Sequence, residues 1–248
     1  MTDTLSLRSL VGRLLLLTTC MALTVSACSD GAPTAKATPT TPSPTPSTPP
    51  SYTPEHLRAS LIRAADVGPR VEEIATIADF LKDDRVPMCS LSGFKLPGKP
   101  RLATRQFTNP AKGKGEIKYA QVIAYYPDAT AASNAYQAVR QKAYSCPTKQ
   151  HVAAKRIRKN FTLFPHDDTW KVTEGSLEGW THVRGSEKHV EPPSLTKYNV
   201  YHLTYDYNLR GNVLIASLYY ERTEPDQPGE PIAKRATEVL TKQLRKIG

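Results

Sequence analysis

The sequence lacks the short motifs that mark most catalytic centres. It contains no HExxH, GxSxG or CxxC, and its 6 histidines are scattered along the chain. The segment Gly93 to Pro100 has the spacing of a phosphate-binding loop, but Pro100 stands where Ser or Thr must hold magnesium. A proline there also prevents a helix from following and aiming its amides at a phosphate. The sequence therefore predicts neither a cofactor nor a metal, and it identifies no reaction.

An apolar run long enough to span a membrane is also missing. The longest run, Leu14 to Val25, has the length of a signal-peptide core and follows the basic residues Arg8 and Arg13. Small residues then lead to Cys28, in the order that a lipoprotein signal peptidase accepts. The sequence predicts cleavage before Cys28 and a lipid on its thiol. The alternative is an ordinary secretory signal that ends at Ala27.

Large apolar side chains are almost absent from the segment Ala32 to Pro54, which holds 8 of the 21 prolines. Such a segment cannot bury a core and favours extended polyproline II. We therefore expect three parts: a signal peptide at 1–27, a lipidated Pro/Thr/Ser-rich linker at 28–54 and one globular domain at 55–248. The expected location is the extracytoplasmic face of the cell membrane, held there by the lipid.

Cysteine is scarce, with only 4 in the chain. Cys20 lies in the signal and Cys28 is the expected lipid site, which leaves Cys89 and Cys146. In an oxidising compartment these two predict a disulfide. A thiol nucleophile or metal ligand is the weaker interpretation, because neither cysteine has CxxC spacing or a neighbouring histidine.

Acidic residues are fewer than basic ones, 23 against 33. For an exported protein, this excess predicts contact with anionic partners of the cell envelope, either a polymer, a lipid or a protein, rather than with nucleic acid. The densest basic cluster comprises Lys149, Lys155, Arg156, Arg158 and Lys159. We interpret that cluster as a solvated strand or loop edge, because edge cations discourage aggregation.

Hydrophobic periodicity predicts four helices and several strands. The predicted helices are Glu55 to Ala65, Val71 to Lys82, a segment opened by Asp128, and a last helix from Glu230. The third predicted helix has one core-facing side, made of Ala132, Ala135, Tyr136, Val139 and Ala143. The last predicted helix has one stripe that should pack on the sheet, made of Ile232, Ala236, Val239, Leu240, Gln243 and Ile247. The predicted strands are Ala103 to Thr108, Ile117 to Tyr126, Val152 to Phe164, Gly179 to Arg184, Asn199 to Leu209 and Asn212 to Glu221. The last of these strands is apolar on both faces, which predicts a place inside the sheet with layers above and below it. Helices that flank hairpin-connected strands indicate an α+β fold with a central, mainly antiparallel sheet.

Tyrosine is the most abundant aromatic residue, and six tyrosines fall on the last two predicted strands or directly before them. An aromatic wall with hydroxyl groups suits a sugar or an amphiphile. We therefore take Trp180, Arg184, Tyr201 and Tyr205 as candidate ligand-binding residues of one cleft. The alternative is that tyrosine is simply a good strand former.

The polar stretch His166-Asp167-Asp168 is interpreted as a surface turn between strands. Its residue types suit a metal, but three adjacent residues rarely converge on one ion. We expect no metal site there.

Four short stretches follow one another along the domain: Leu61 to Gly68, Val122 to Ala135 (VIAYYPDATAASNA), Cys146-Pro147, and Arg210 to Leu214. In this order they resemble the PknH-type extracellular sensor domain of actinobacterial Ser/Thr kinases and stand-alone lipoproteins. The resemblance implies a central antiparallel sheet flanked by helices, with a cleft for an extracellular ligand. The chain departs from the kinase-linked members in having one expected disulfide and no kinase.

Together these features predict a membrane-anchored, sensor-like lipoprotein that binds a ligand or partner and has no catalytic activity. A lipid or glycolipid carrier is the first alternative and would need a large apolar cavity. A cell-wall enzyme or its accessory protein is the second. It would need an acidic residue, such as Asp167, Asp168 or Glu178, beside a histidine in a pocket.

Overall fold

The computed structural model describes residues 49–75, 78–159 and 161–248. The predicted signal peptide, Cys28 and most of the predicted linker lie outside the described residues. Within the described part of the chain, no helix is long and apolar enough to cross a membrane.

Four helices and twelve strands make up the described chain. The helices are α1 (Pro54–Ala59), α2 (Ala64–Val67), α3 (Ala129–Tyr144) and α4 (Glu230–Ile247). The first six strands are β1 (Glu72–Glu73), β2 (Arg85–Met88), β3 (Ser92–Lys95), β4 (Arg101–Thr108), β5 (Ile117–Tyr125) and β6 (Lys149–Val152). The other six are β7 (Lys155–Arg158), β8 (Phe161–Leu163), β9 (His166–Leu177), β10 (Trp180–Val190), β11 (Val200–Arg210) and β12 (Val213–Thr223).

Eight strands form one antiparallel sheet in the order β1-β4-β5-β12-β11-β10-β9-β6. Two small hairpins, β2-β3 and β7-β8, lie outside it. The α+β prediction with a central antiparallel sheet is therefore confirmed.

The hairpin of β11 and β12 forms the centre of the sheet, as the apolar sequence of β12 indicates. Nearly every residue of β12 is buried, because helices cover both faces of this strand. A two-residue turn joins the strands, and Gly211 there has φ +54°, which favours glycine. The Asn212 side chain accepts a hydrogen bond from the Tyr52 amide and donates one to the Tyr52 carbonyl, so it links the turn to Tyr52.

Helix α3 packs on one face of the sheet, which we call the α3 face. Asp128 caps the helix by accepting a hydrogen bond from the Ala131 amide at 2.7 Å. The apolar positions predicted to face the core are all buried: Ala132, Ala135, Tyr136, Val139 and Ala143. The predicted helix is confirmed.

Helix α4 packs on the opposite face, the α4 face, together with α1 and α2. Its predicted stripe is buried as a whole: Ile232, Ala236, Val239, Leu240, Gln243 and Ile247. Gln243 is the polar member, and it accepts a hydrogen bond from the Ile62 amide and donates one to the Ser60 carbonyl. These two bonds fasten the connection between α1 and α2 to α4.

The disulfide between Cys89 and Cys146 is present, with an S–S distance of 2.07 Å. It joins a short 3₁₀ turn, Cys89–Leu91, to the chain just after α3. The predicted pairing is confirmed.

Two helix predictions near the start of the domain need correction. The helix expected at Glu55 to Ala65 is interrupted between α1 and α2. The described part of Val71 to Lys82 contains strand β1 and a 3₁₀ turn, Asp79–Leu81, instead of an α-helix. Strand β1 pairs with β4, so tertiary pairing outweighs the local helical spacing.

Candidate functional site

A concave pocket of about 650 Å³ opens on the α3 face. Its floor consists of side chains from the sheet, among them Leu203 on β11 and Leu218 on β12. Apolar residues from the segment before β2, including Ala78 and Phe80, form one wall of the pocket. The volume falls in the range of about 300–1,000 Å³ that is typical of small-molecule sites.

Imidazole and carboxylate groups lie along one side of the pocket. The Asp168 carboxylate contacts the Nδ1 atom of His189 at 2.8 Å and lies 3.6 Å from the Nε2 atom of His166. The two imidazole rings are 4.1 Å apart, centre to centre. The alternation of strand β9 explains this arrangement, because His166 and Asp168 face the same side while Asp167 points away.

Neutral hydrogen-bond donors complete the environment of Asp168. Its Oδ2 atom accepts hydrogen bonds from the Ser90 hydroxyl at 3.0 Å and from the Gln150 amide at 2.9 Å. Desolvation alone would raise the pKa of Asp168, but the hydrogen bonds from His189, Gln150 and Ser90 outweigh it and lower that pKa. Asp168 is therefore ionised at neutral pH.

Glu187 is the second buried carboxyl of this wall and behaves differently. Burial raises its pKa to about 7, although a hydrogen bond from the Ser90 amide, 2.7 Å long, opposes the shift. The neighbouring negative charge of Asp168 raises it further. A carboxyl with a pKa near 7 can change its protonation within the physiological range.

The 3₁₀ turn that carries Ser90 is held in a rare backbone conformation. Ser90 and Leu91 have φ values of +54° and +51°, in the left-handed region that side chains disfavour. Neighbouring contacts hold the turn, because the Leu91 amide donates to the Tyr205 hydroxyl at 3.3 Å and Cys89 is bonded to Cys146. Such local strain is often kept at binding sites.

Only one of the four candidate ligand-binding residues lines the pocket. Tyr201 contributes its ring, and its hydroxyl donates to Glu191 at 2.8 Å. Tyr205 lies on the same face but is fully buried, packed against Trp170.

Trp180 and Arg184 lie on the α4 face. Trp180 is fully buried and stacks on Tyr52, and Arg184 contacts Asp206 with two hydrogen bonds of 2.6 and 3.1 Å. A single cleft lined by all four predicted residues is therefore wrong, because strand alternation places the two pairs on opposite faces of the sheet.

The interpretation of His166-Asp167-Asp168 as a surface turn is also wrong. The three residues begin strand β9, and the first and third are buried beside His189. A His-x-Asp pattern has the period of a strand and could have indicated one shared face. The position of His189 could not be read in this way, because it follows from the register of β9 and β10.

Comparisons with known proteins give matches only among solved structures. No family model and no curated protein matches the chain. The extracellular domain of PknH from Mycobacterium tuberculosis aligns at 11% identity and a TM-score of 0.44, covering 79% of this chain and 100% of that one. An uncharacterised protein from Mycobacterium smegmatis aligns at 11% identity and a TM-score of 0.36, covering 75% and 96%. A protein of unknown function from Pseudomonas aeruginosa aligns at 15% identity and a TM-score of 0.30, covering 62% and 92%.

Proposed function

We propose that this protein is an extracytoplasmic, membrane-anchored lipoprotein that binds a small molecule in the pocket on its α3 face, without catalysis. The predicted lipoprotein signal, with cleavage before Cys28, supports the location. The Cys89–Cys146 disulfide also fits an exported protein, because such bonds persist in oxidising compartments.

One observation supports the binding function: the pocket has an apolar surface on one side and polar groups on another. Phe80, Leu203 and Leu218 offer an apolar surface, while His189 and Glu191 offer polar groups on another side. Sites that combine an apolar body with a few convergent polar groups fix both the affinity and the orientation of a ligand. An amphiphile with one polar end therefore fits this pocket best.

The pocket volume favours a small ligand over a bulky lipid. About 650 Å³ accommodates one molecule of ordinary cofactor size. A carrier of long-chain lipids or glycolipids would need a larger apolar cavity.

An enzyme or enzyme accessory is the second candidate, favoured by one specific contact. Asp168 contacts His166 and His189, which both line the pocket, and proton-transfer chemistry uses such an arrangement. Turnover of a pocket-bound molecule, rather than its unchanged release, would support this candidate.

Native mass spectrometry of the protein purified from the bacterium that makes it tests the binding function. We expect a reproducible adduct of one small molecule, which denaturing extraction releases intact. Ala78→Phe introduces a ring at the pocket wall and should abolish the adduct, whereas Ala138→Phe, on α3 and outside the pocket, should retain it. Equal occupancy in both variants, or an empty wild-type protein, would contradict the proposal.

Metabolic labelling with palmitate tests the anchor separately. The wild-type protein should incorporate the label and sediment with membranes, and Cys28→Ser should do neither. Cys20→Ser changes the other cysteine of the signal region and serves as the control, with labelling retained. Labelling of Cys28→Ser would show that the lipid is not on this thiol.

A further inference from the structure

The cluster formed by His166, Asp168 and His189 has the dimensions of a metal site. One ligand atom from each residue lies within 4.8 Å of those from the other two. Nitrogen and oxygen ligands bind Zn²⁺ at about 2.0–2.2 Å, so atoms that share one tetrahedral ion are roughly 3–4 Å apart. The distances of 2.8 and 3.6 Å from Asp168 to the two imidazoles need only small adjustments to reach this spacing.

Strand geometry presents the three side chains together. His166 and Asp168 are two residues apart on β9, and His189 lies directly opposite Asp168 on β10. Sites built on paired strands are held more firmly than sites on loops. His166 and Asp168 are also buried, which limits competition from water.

The hydrogen bonding of His166 suits a metal ligand. Its Nδ1 atom lies 2.8 Å from the Phe164 carbonyl oxygen, which only accepts hydrogen bonds. Nδ1 therefore carries a proton, and Nε2, on the side of Asp168, is the ring atom that can coordinate an ion. A histidine fixed in this way by a backbone carbonyl is the usual arrangement around bound zinc.

His189 can adopt the matching state. Coordination through Nδ1 requires its proton to move to Nε2, where the Glu191 carboxylate lies 3.8 Å away. Glu191 is itself held by the Tyr201 hydroxyl at 2.8 Å. Glu191, oriented by Tyr201, would thus accept the Nε2 proton of His189 on the side away from the ion, as carboxylates do in other zinc sites.

Hydrogen bonds orient Asp168, and surrounding charge favours a cation. Ser90 and Gln150 both donate to its Oδ2 atom. The Glu191 carboxylate lies 3.8 Å from the Nε2 atom of His189 and adds to the attraction of the cluster for a positive ion.

We propose that His166, Asp168 and His189 bind one divalent transition-metal ion, with Zn²⁺ as the preferred ion. Two imidazoles and a carboxylate are a ligand set that suits zinc, and three protein ligands leave a fourth position open. Because His166 and His189 both line the pocket, the open position is accessible to a molecule bound there. The proposed metal site does not depend on the proposed small-molecule function, so either proposal can be contradicted while the other holds.

Cobalt titration of the full protein, purified from its host and treated with a chelator, tests the site. Co²⁺ should bind with one equivalent and give the visible absorption of a tetrahedral ion, and Zn²⁺ should displace it. His166→Gln and His189→Gln each remove one ligand and should weaken Co²⁺ binding by at least about 100-fold.

The exposed pair His151 and Asp167 provides a matched control. Its Nδ1–Oδ1 distance is also 2.8 Å, but the pair is solvent-exposed. His151→Gln should leave Co²⁺ binding unchanged. Equal affinity for Co²⁺ in the wild type, His166→Gln and His189→Gln would overturn the proposal.

X-ray absorption of the wild-type protein with one equivalent of Zn²⁺ needs no variant and covers the case of variants that fail to fold. Two imidazoles and one carboxylate oxygen in the coordination shell would support the site. A shell made of oxygen atoms alone would overturn it.

Discussion

Two buried carboxyl groups on opposite faces of the same sheet have opposite pKa shifts. On the α4 face, burial alone would raise the pKa of Asp206, but the hydrogen bond from His182 and the Arg184 guanidinium lower it. On the α3 face, burial raises the pKa of Glu187 to about 7, because the hydrogen bonds from the Ser90 amide and the Tyr205 hydroxyl oppose it more weakly.

The difference shows which of the two faces is built for stability. A carboxylate balanced by an arginine is already satisfied and leaves nothing for a ligand to bind. A carboxyl group beside imidazoles at an open pocket has a charge that depends on pH and on what the pocket contains. We therefore expect changes on the α4 face to affect stability first and changes at the pocket to affect binding first.

The largest loss of stability should come from Asp206→Ala. The change leaves Arg184 without its buried partner, which costs about 3–5 kcal/mol of the free energy of unfolding. Urea denaturation measures the loss, and the exposed Asp167→Ala, on β9, should change stability by less than about 0.5 kcal/mol. Comparable losses of unfolding free energy in both variants would contradict a structural role for the Asp206 ion pair.

Removal of the disulfide by Cys89→Ala with Cys146→Ala should lower the free energy of unfolding by about 2–4 kcal/mol. The bond closes a sequence separation of 57 residues, so the unfolded chain gains much freedom without it. The loss should also release the turn that holds Ser90 and so weaken any binding in the pocket. Unchanged stability on reduction of the wild-type protein would contradict this expectation.

Gly185→Ala should destabilise the fold by about 1–3 kcal/mol, because the new methyl group has no space. A Cβ at Gly185 would lie 2.1 Å from the ring of Trp170, which packs over β10. Gly175→Ala is the control, since a Cβ there meets nothing within 4 Å. Thermal unfolding of the two variants separates the outcomes, and equal midpoints would refute the proposed tight packing at Trp170.

The smallest effect expected over a single pH unit is a pH dependence that belongs to Glu187. Its folded pKa is raised, so the native state holds a proton that the unfolded state has lost between about pH 4.5 and 7. Stability therefore falls as pH rises through this window, by up to about 1.4 kcal/mol per pH unit. Glu187→Gln should lack this fall.

The readout is the difference in unfolding free energy between the wild type and Glu187→Gln as a function of pH. His202 contributes the opposite slope, because burial lowers its pKa, but it does so equally in both proteins. A difference that stays constant from pH 4.5 to 7.5 would show that Glu187 titrates normally.

Local sequence patterns determined two parts of the fold. These are the helices that bear one apolar stripe, and the central hairpin of β11 and β12. In α3 and α4 the spacing of small and branched residues identified the buried face, and in β12 apolar residues on both sides indicated a central strand. These predictions succeeded because the burial of apolar side chains is the main driving force of folding, and a periodic pattern shows which side chains are buried. The cysteine pair was also determined, since only two cysteines remained in the expected domain.

Only the tertiary structure decided which polar side chains meet. Trp180, Arg184, Tyr201 and Tyr205 lie on the two paired strands β10 and β11, yet alternation and register place them on opposite faces. The same sheet pairing brings His189 beside Asp168, which lies 21 residues earlier in the chain. Sequence periodicity fixes the face of a residue within its own strand, but the partner across the sheet depends on the pairing of the whole sheet.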